Sequence, residues 1–276
     1  MVLGWLRRVR GRWWRWRIGR CPTWVLGPQF RRSRSRIELD ITWACNLRCF
    51  NCNRSCEQAP TGIGMTCAQV ETFVAESLER GQRWEQIRIL GGEPALHPEL
   101  QPILAALLRY QRAVDGVRLV LATNGHGDNV RAALRQIPVG IEVENTDKTG
   151  QVQPFLSFNV APVDLPAYDH ADYSNGCFVT EQCGIGLTPY GYYQCAVAGG
   201  IDRIFGLGLA RDTLPADEDG LDDQLEQLCR LCGAFKRDVE QPLGRPVQSP
   251  TWRSAYAAHR DAPVVLARYG SDDEHP

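Results

Sequence analysis

Cys45-Asn46-Leu47-Arg48-Cys49-Phe50-Asn51-Cys52 presents three thiols separated by three and then two residues, and the rest of the chain reads as its support. Immediately before it, Arg36-Ile37-Glu38-Leu39-Asp40-Ile41-Thr42-Trp43 alternates and is β-branched, which predicts a buried strand with the cysteines in the following loop. A loop at a strand's carboxyl end is where α/β proteins place chemistry. Three closely spaced thiolates suit a soft metal or an iron–sulfur cluster, and three ligands on a four-iron cube leave one iron open to an exogenous ligand. A zinc site completed by a fourth thiol such as Cys56 is the alternative from the same residues.

Beyond the loop the periodicity switches repeatedly. Thr66 caps a helix predicted over 68–80 with Val70, Phe73, Val74 and Leu78 on one face. A strand at 84–90 ends in Gly91-Gly92-Glu93-Pro94. His97-Pro98-Glu99-Leu100 then opens a helix to Tyr110 with Ile103, Leu104, Leu107 and Leu108 inward. A strand at 117–122 runs into Thr123-Asn124-Gly125, followed by a helix at 129–137, a strand at 139–143 and a fifth strand at 155–163. Such alternation implies a parallel sheet. Taken singly, Gly91-Gly92 is an ordinary turn, Glu93 a helix-entry carboxylate and His97 a structural or capping histidine that also lies within reach of a substrate. Glu144 and Asn145 end the fourth strand and are expected to face the cavity.

The three-then-two cysteine spacing, Gly91-Gly92-Glu93-Pro94 and Thr123-Asn124-Gly125, each after a successive strand, together resemble the radical S-adenosylmethionine (SAM) superfamily. The resemblance implies an α/β fold, a partial (β/α) TIM-like barrel over 37–165 with its site at the strands' carboxyl ends. It implies that Cys45, Cys49 and Cys52 hold a [4Fe-4S] cluster whose open iron chelates the amino and carboxylate groups of SAM. An electron from the cluster then cleaves SAM to methionine and a 5′-deoxyadenosyl radical, supplied through a reducing partner such as flavodoxin or ferredoxin. By the same resemblance Gly91, Gly92 and Glu93 face the SAM amino group and Asn124 lies near the ribose; Glu144 and Asn145, from their place at the end of the fourth strand, are candidates for polar contacts with SAM or substrate. In that family the residue before the third cysteine is usually aromatic; here it is Asn51, with Phe50 one place earlier.

A second group of thiols comprises Cys177, Cys183 and Cys195, then Cys229 and Cys232 on a helix predicted over 221–231. Cys183 to Cys195 reads as a β-hairpin turning at Pro189 to Gly191. Residues 166–240 thus resemble the small cysteine-rich auxiliary-cluster extension called SPASM, or its shortened form, twitch. The resemblance implies a second [4Fe-4S] cluster with four ligands; Cys195, Cys229 and Cys232 come first, and Cys177 and Cys183 compete for the remaining place. A zinc knuckle is the alternative. An auxiliary cluster that accepts an electron points to oxidation or cross-linking, whereas a thiol such as Cys56 or Cys67 returning a hydrogen points to an epimerase; a peptide maturase is a further alternative.

The chain has 276 residues, 43% hydrophobic and 23% charged, as expected of a soluble globular protein, and no run approaches the ~18 apolar residues that span a bilayer. Its eleven cysteines fall in groups and no signal peptide is visible, which favours metal binding in a reducing cytoplasm. Residues 1–36 form a basic arm with eleven arginines, five of the eight tryptophans and no acidic residue, leaving 20 basic against 32 acidic residues elsewhere. Such an arm either packs on the protein's own acidic body or meets an anionic surface: a membrane, a nucleic-acid backbone or an acidic peptide. Cys21 is a bystander, and the tail at 241–276 carries a surface helix near 252–259 and a frayed terminus, with no catalytic signal. The arm is too short for a usual peptide-recognition module, which tilts the expected substrate from a peptide toward a small molecule. From a different class comes a zinc-stabilised nucleic-acid-binding protein, which explains the arm and leaves Gly91 to Pro94 unexplained.

Overall fold

The computed structural model describes residues 11–236 and 244–270. At its centre lies β1 (Arg36–Thr42), within one six-stranded sheet of order β4-β3-β2-β1-β5-β6. On one side β2 (Gln86–Gly91), β3 (Arg118–Thr123) and β4 (Ile141–Asn145) follow in parallel, connected through helices α2 (Cys67–Glu79), α3 (Leu100–Ala113) and α4 (Asp128–Leu134). This is the expected partial β/α barrel. On the other side β5 (Ile185–Thr188) pairs parallel with β1 and turns back into β6 (Gly191–Tyr193), so the predicted hairpin is continuous with the barrel sheet. A short α1 (Arg20–Leu26) precedes β1; α5 (Phe178–Gln182), α6 (Ala196–Phe205), α7 (Asp222–Cys229) and α8 (Pro250–Asp261) complete the described chain.

The alternation of β1 separates two environments. Ile37, Leu39 and Ile41 join Ile87, Ile89, Leu119 and Leu121 in an apolar core roofed by Val70, Phe73 and Val74 of α2 and Ile103, Leu104 and Leu107 of α3. The opposite face carries Glu38, Asp40 and Thr42, all buried, with Glu38 in register with Arg88 of β2 and Gly186 of β5. Thr66 caps α2 as expected, through a capping box with Gln69. Leu78 does not turn inward: it is exposed, and Ser77 takes the buried place because its hydroxyl accepts the indole N–H of Trp84 at 3.1 Å.

Two further expectations are corrected. Residues 155–163 form no strand, because their backbone bonds go to other loops: Phe158 accepts from Gly233 at 2.9 Å, Asn159 accepts from Ser249 at 3.0 Å, and Pro162 has no N–H to offer. The tail is more than a surface helix. α8 buries Trp252 and Tyr256, and Tyr269 beyond it is buried with its hydroxyl on Glu76 at 2.9 Å. The first ten residues of the arm and the frayed terminus after residue 270 lie outside the described residues.

His97 proves structural. It is buried, and its Nδ1 accepts the backbone N–H of Glu99 at 3.0 Å, just ahead of α3. Burial, partly offset by a hydrogen bond to Met65 and by Glu99, lowers its pKa below the usual value. A folded pKa below the unfolded value, about 6.5, means the neutral ring contributes stability above that pH and loses it as pH falls through the folded value. The Tm advantage of wild type over His97→Asn is therefore expected to narrow as the pH is lowered from about 7.5 to about 5.5. A constant advantage in scanning fluorimetry would refute this assignment.

Candidate functional site

The loops after β1, β2 and β3 meet at the strands' carboxyl ends. The cysteine loop is held open in a non-helical course by a neighbouring segment: Arg48 donates to Gln151 O at 2.7 Å, Phe50 to Gln153 O at 3.0 Å, and Phe155 donates back to Phe50 O at 3.2 Å. Asn51 sits buried at φ 59°, a left-handed conformation that asparagine tolerates better than an aromatic residue. Its carboxamide donates to Arg245 O at 3.1 Å and accepts from Val247 N at 2.7 Å. The unusual residue before the third cysteine is thus committed to holding the C-terminal segment.

The double glycine has a steric cause. Gly91 lies at φ +138° and a Cβ there would stand 2.1 Å from Thr42 O; at Gly92 it would stand 2.3 Å from Ala44 O. With no side chains in the way, Gly92 N donates to Thr42 O at 2.7 Å and Glu93 N to Ala44 O at 2.8 Å, so the β2 loop lies directly on the start of the cysteine loop. Glu93 is fully buried and clamps the third loop: its carboxylate accepts from Thr123 Oγ1 at 2.7 Å, Asn124 N at 2.7 Å and Ala95 N at 3.0 Å. Burial raises its pKa against those donors. Asn124 reaches back to Asn46 Oδ1 at 2.9 Å and lies 3.9 Å from Cys45 Sγ. The three sequence motifs therefore form one hydrogen-bonded unit.

Glu144 departs from its expected role. Its carboxylate pairs with Arg88 at 2.9 and 3.2 Å, and Arg88 also holds Glu38 at 2.9 Å, so Glu144 balances a buried charge. Asn145 accepts from Asp147 N at 2.9 Å, and a Cβ on Gly125 would overlap its side chain.

Cys45, Cys49 and Cys52 are close enough to perturb one another. Burial pushes Cys45 up to about 12 and raises Cys49, with the neighbouring thiols adding. Cys52 is held below the usual thiol range, first by a hydrogen bond from the Cys56 thiol and then by backbone amides of Cys56 and Arg54; Cys56 rises correspondingly. Cys45 and Cys49, held protonated in this way, would release their protons to solvent on binding a metal, which couples metal loading to pH. Cys67 lies elsewhere, at the start of α2 against the outer core and near Glu71 and Glu99, and takes no part in the site.

The second thiol group resolves itself. Cys177, Cys195, Cys229 and Cys232 line a single buried, apolar pocket with Val197 and Ile201 of α6. Burial keeps all four thiols above their usual range, with the other members of the group adding for Cys195, Cys229 and Cys232. Gln194 donates to Cys229 Sγ at 3.0 Å. Cys183 is not among them: it lies against Glu38, Arg54 and Arg88, where burial pushes it up to about 12 and Glu38 adds to the rise. Among the described residues, no three Cys, His, Asp or Glu side chains converge closely enough to hold one metal ion.

Helix α6 joins the two thiol groups. Cys195 is its N-cap; near its other end Arg203 is buried, donating to the carbonyls of Arg54 at 2.7 Å, Ala59 at 2.9 Å and Ser55 at 3.1 Å, with its guanidinium 5.0 Å over Trp43. Gly200 faces Asn53 O and Gly186 faces the backbone of Ala196, so small residues let α6 press against both the cysteine loop and β5. Arg203, Arg54 and Tyr256, whose hydroxyl is 2.7 Å from Ser55 Oγ, were not legible as site residues. Gly199-Gly200 was the one signal, as glycines inside a helix mark close approach.

The arrangement is a parallel β/α sheet with three thiols on its first loop, a glycine loop pressed on the start of that loop and a buried four-thiol pocket behind. The chain is 37% identical over 102 residues to GTP 3',8-cyclase of Chlorobaculum tepidum, covering 37% of this chain and 29% of that protein. It is 30% identical over 131 residues to a "Probable GTP 3',8-cyclase" of Methanococcus vannielii, covering 45% and 42%. The chain thus spans less than half the length of these curated relatives. The solved structure of BtrN in complex with AdoMet and 2-DOIA superposes with a TM-score of 0.44 at 13% identity, over 79% of this chain and all of that one. No family model matches. Over the matched stretch the chain is similar to radical SAM enzymes, which supports the resemblance that its motifs carry.

Proposed function

We propose that this chain is an enzyme that cleaves SAM reductively at a [4Fe-4S] cluster and abstracts a hydrogen atom from a small-molecule or peptide substrate. Cys45, Cys49 and Cys52 would hold the cluster, which when loaded supplies an electron and an open iron for SAM. The observation that carries this reading is the meeting of the cysteine loop, through its start and Cys45, with the Gly91 to Glu93 loop and Asn124. Glu93 has three donors on its carboxylate, so its work is to fix the loops. A second cluster on Cys177, Cys195, Cys229 and Cys232 fits better than zinc. Zinc needs four sulfurs converging on one point at about 2.3 Å, whereas a cube takes each thiolate at its own iron. An auxiliary cluster favours oxidation; Cys56, occupied with Cys52, is poorly placed to return a hydrogen as an epimerase would require. The relatives' names, which specify GTP, favour a small molecule, with flavodoxin or ferredoxin as reductant.

After anaerobic reconstitution the chain is expected to carry about eight irons and matching acid-labile sulfide, and to release 5′-deoxyadenosine from SAM under dithionite. Cys45→Ala/Cys49→Ala/Cys52→Ala is expected to keep about four irons and lose that release. Zinc without iron or sulfide would overturn the reading in favour of a zinc-stabilised binding protein.

A further inference from the structure

We propose that residues 11–26 form an anchor that docks the protein on an anionic lipid bilayer. Residues 11–17 are helical and α1 follows after a two-residue break. One side of this arm is fastened to the body: Trp14 and Ile18 are buried with Tyr168, Tyr173 and Phe235, and buried Arg17 donates to Gly27 O at 2.6 Å and to Asn175. Further along, Arg32 donates to Asp219 O and Arg34 pairs with Asp217, so part of the basic charge is spent on the acidic body.

The outward side is a different surface. Trp13 and Trp16 are 54% and 55% exposed, Trp24 is 88% exposed, and Val25 and Leu26 beside it are 68% and 57% exposed. Arg12, Arg15 and Arg20 are exposed among them, and no acidic residue occurs in residues 1–36. Large apolar side chains left in water over two consecutive helices mark an interaction surface. Charge decides its sign: the partner is anionic. Aliphatic Val25 and Leu26 decide its class, since they gain from entering acyl chains and gain little from a phosphate backbone or stacked bases. Tryptophan belongs at the headgroup level and arginine meets anionic headgroups, so one surface satisfies both halves of an interfacial anchor.

The test is flotation of the full, cluster-reconstituted chain with vesicles of phosphatidylcholine containing about 30% phosphatidylglycerol, against phosphatidylcholine alone. Binding is expected to the anionic vesicles and to weaken as salt screens the arginines. Trp13→Ser/Trp16→Ser/Trp24→Ser is expected to lower the bound fraction about tenfold. Arg12→Gln/Arg15→Gln/Arg20→Gln is expected to abolish the preference for anionic lipid. All six side chains are exposed, so iron content and far-UV dichroism should match wild type, which separates lost docking from lost folding. Flotation unchanged in both variants, or no flotation while a single-stranded oligonucleotide or an acidic peptide is retained, would overturn the proposal.

Discussion

Replacing Arg54 by methionine is expected to cost about 3–5 kcal/mol of stability, the scale for removing one partner of a buried ion pair. Arg54 lies two residues after Cys52, and its guanidinium meets Asp40 at 3.1 Å and Glu38 at 3.2 Å, all three side chains less than a tenth exposed. Burial drives Glu38 toward the protonated form, yet Arg54 and Arg88 together hold its pKa below the usual value. At Asp40 burial wins and the pKa ends raised despite Arg54. Arg54 is thus the cation that both carboxylates share, with Arg88 as a second partner for Glu38 alone, and methionine would fill the volume without neutralising Asp40. The urea midpoint of Arg54→Met should fall sharply, and Asp40→Asn should restore part of it, because the carboxylate that remains, Glu38, is still paired with Arg88. Additive losses in the double variant would show that the two side chains act independently. Function should fall with the fold, since the Arg54 carbonyl is also what Arg203 grips, and a displaced carbonyl would release the cysteine loop from α6.

The legible parts of this chain are those where one local rule decides. β1 to β4 and their helices were readable because alternation and helical spacing state which face is buried, and Cys45, Cys49 and Cys52 because their spacing itself is the signal. Illegible parts depend on partners distant in sequence. Residues 155–163 carry enough apolar side chains for a strand, but whether they join a sheet depends on Gly233 and Ser249. Glu144 ends a strand as expected, and only Arg88, 56 residues earlier, makes it an ion-pair member. Asn51 breaks a sequence expectation at the point where the loop needs a left-handed residue and a clamp for Val247. Tyr256, in a stretch with no catalytic pattern, reaches the cysteine loop because α8 folds back onto it.

Cys177→Ala, Cys195→Ala, Cys229→Ala and Cys232→Ala are each expected to halve reconstituted iron, from about eight to about four per chain, while Cys183→Ala leaves it unchanged. Spacing alone cannot separate Cys177 from Cys183, which flank the short helix α5, and nearness to the hairpin would favour Cys183. Burial separates them. Cys177 precedes α5 and shares the apolar pocket with three other thiols, where four ionised sulfurs would be unstable unless a metal group took their charge. Cys183 follows α5, on the charged face of the sheet, where Glu38 opposes a thiolate and no other thiol of the group lines the same pocket. Iron lost from Cys183→Ala but kept by Cys177→Ala would reverse the assignment. The choice matters for chemistry because a second cluster on these four thiols would lie at the N-terminal end of α6. From Cys195 to Arg203 is eight residues, about 12 Å of helix, and Arg203 holds the carbonyls immediately beyond Cys52. A cluster at Cys195 would sit at one end of a helix whose other end grips the segment just beyond Cys52. A cluster drawn to Cys183 would lack that helix, and the case for oxidation over hydrogen return would weaken with it.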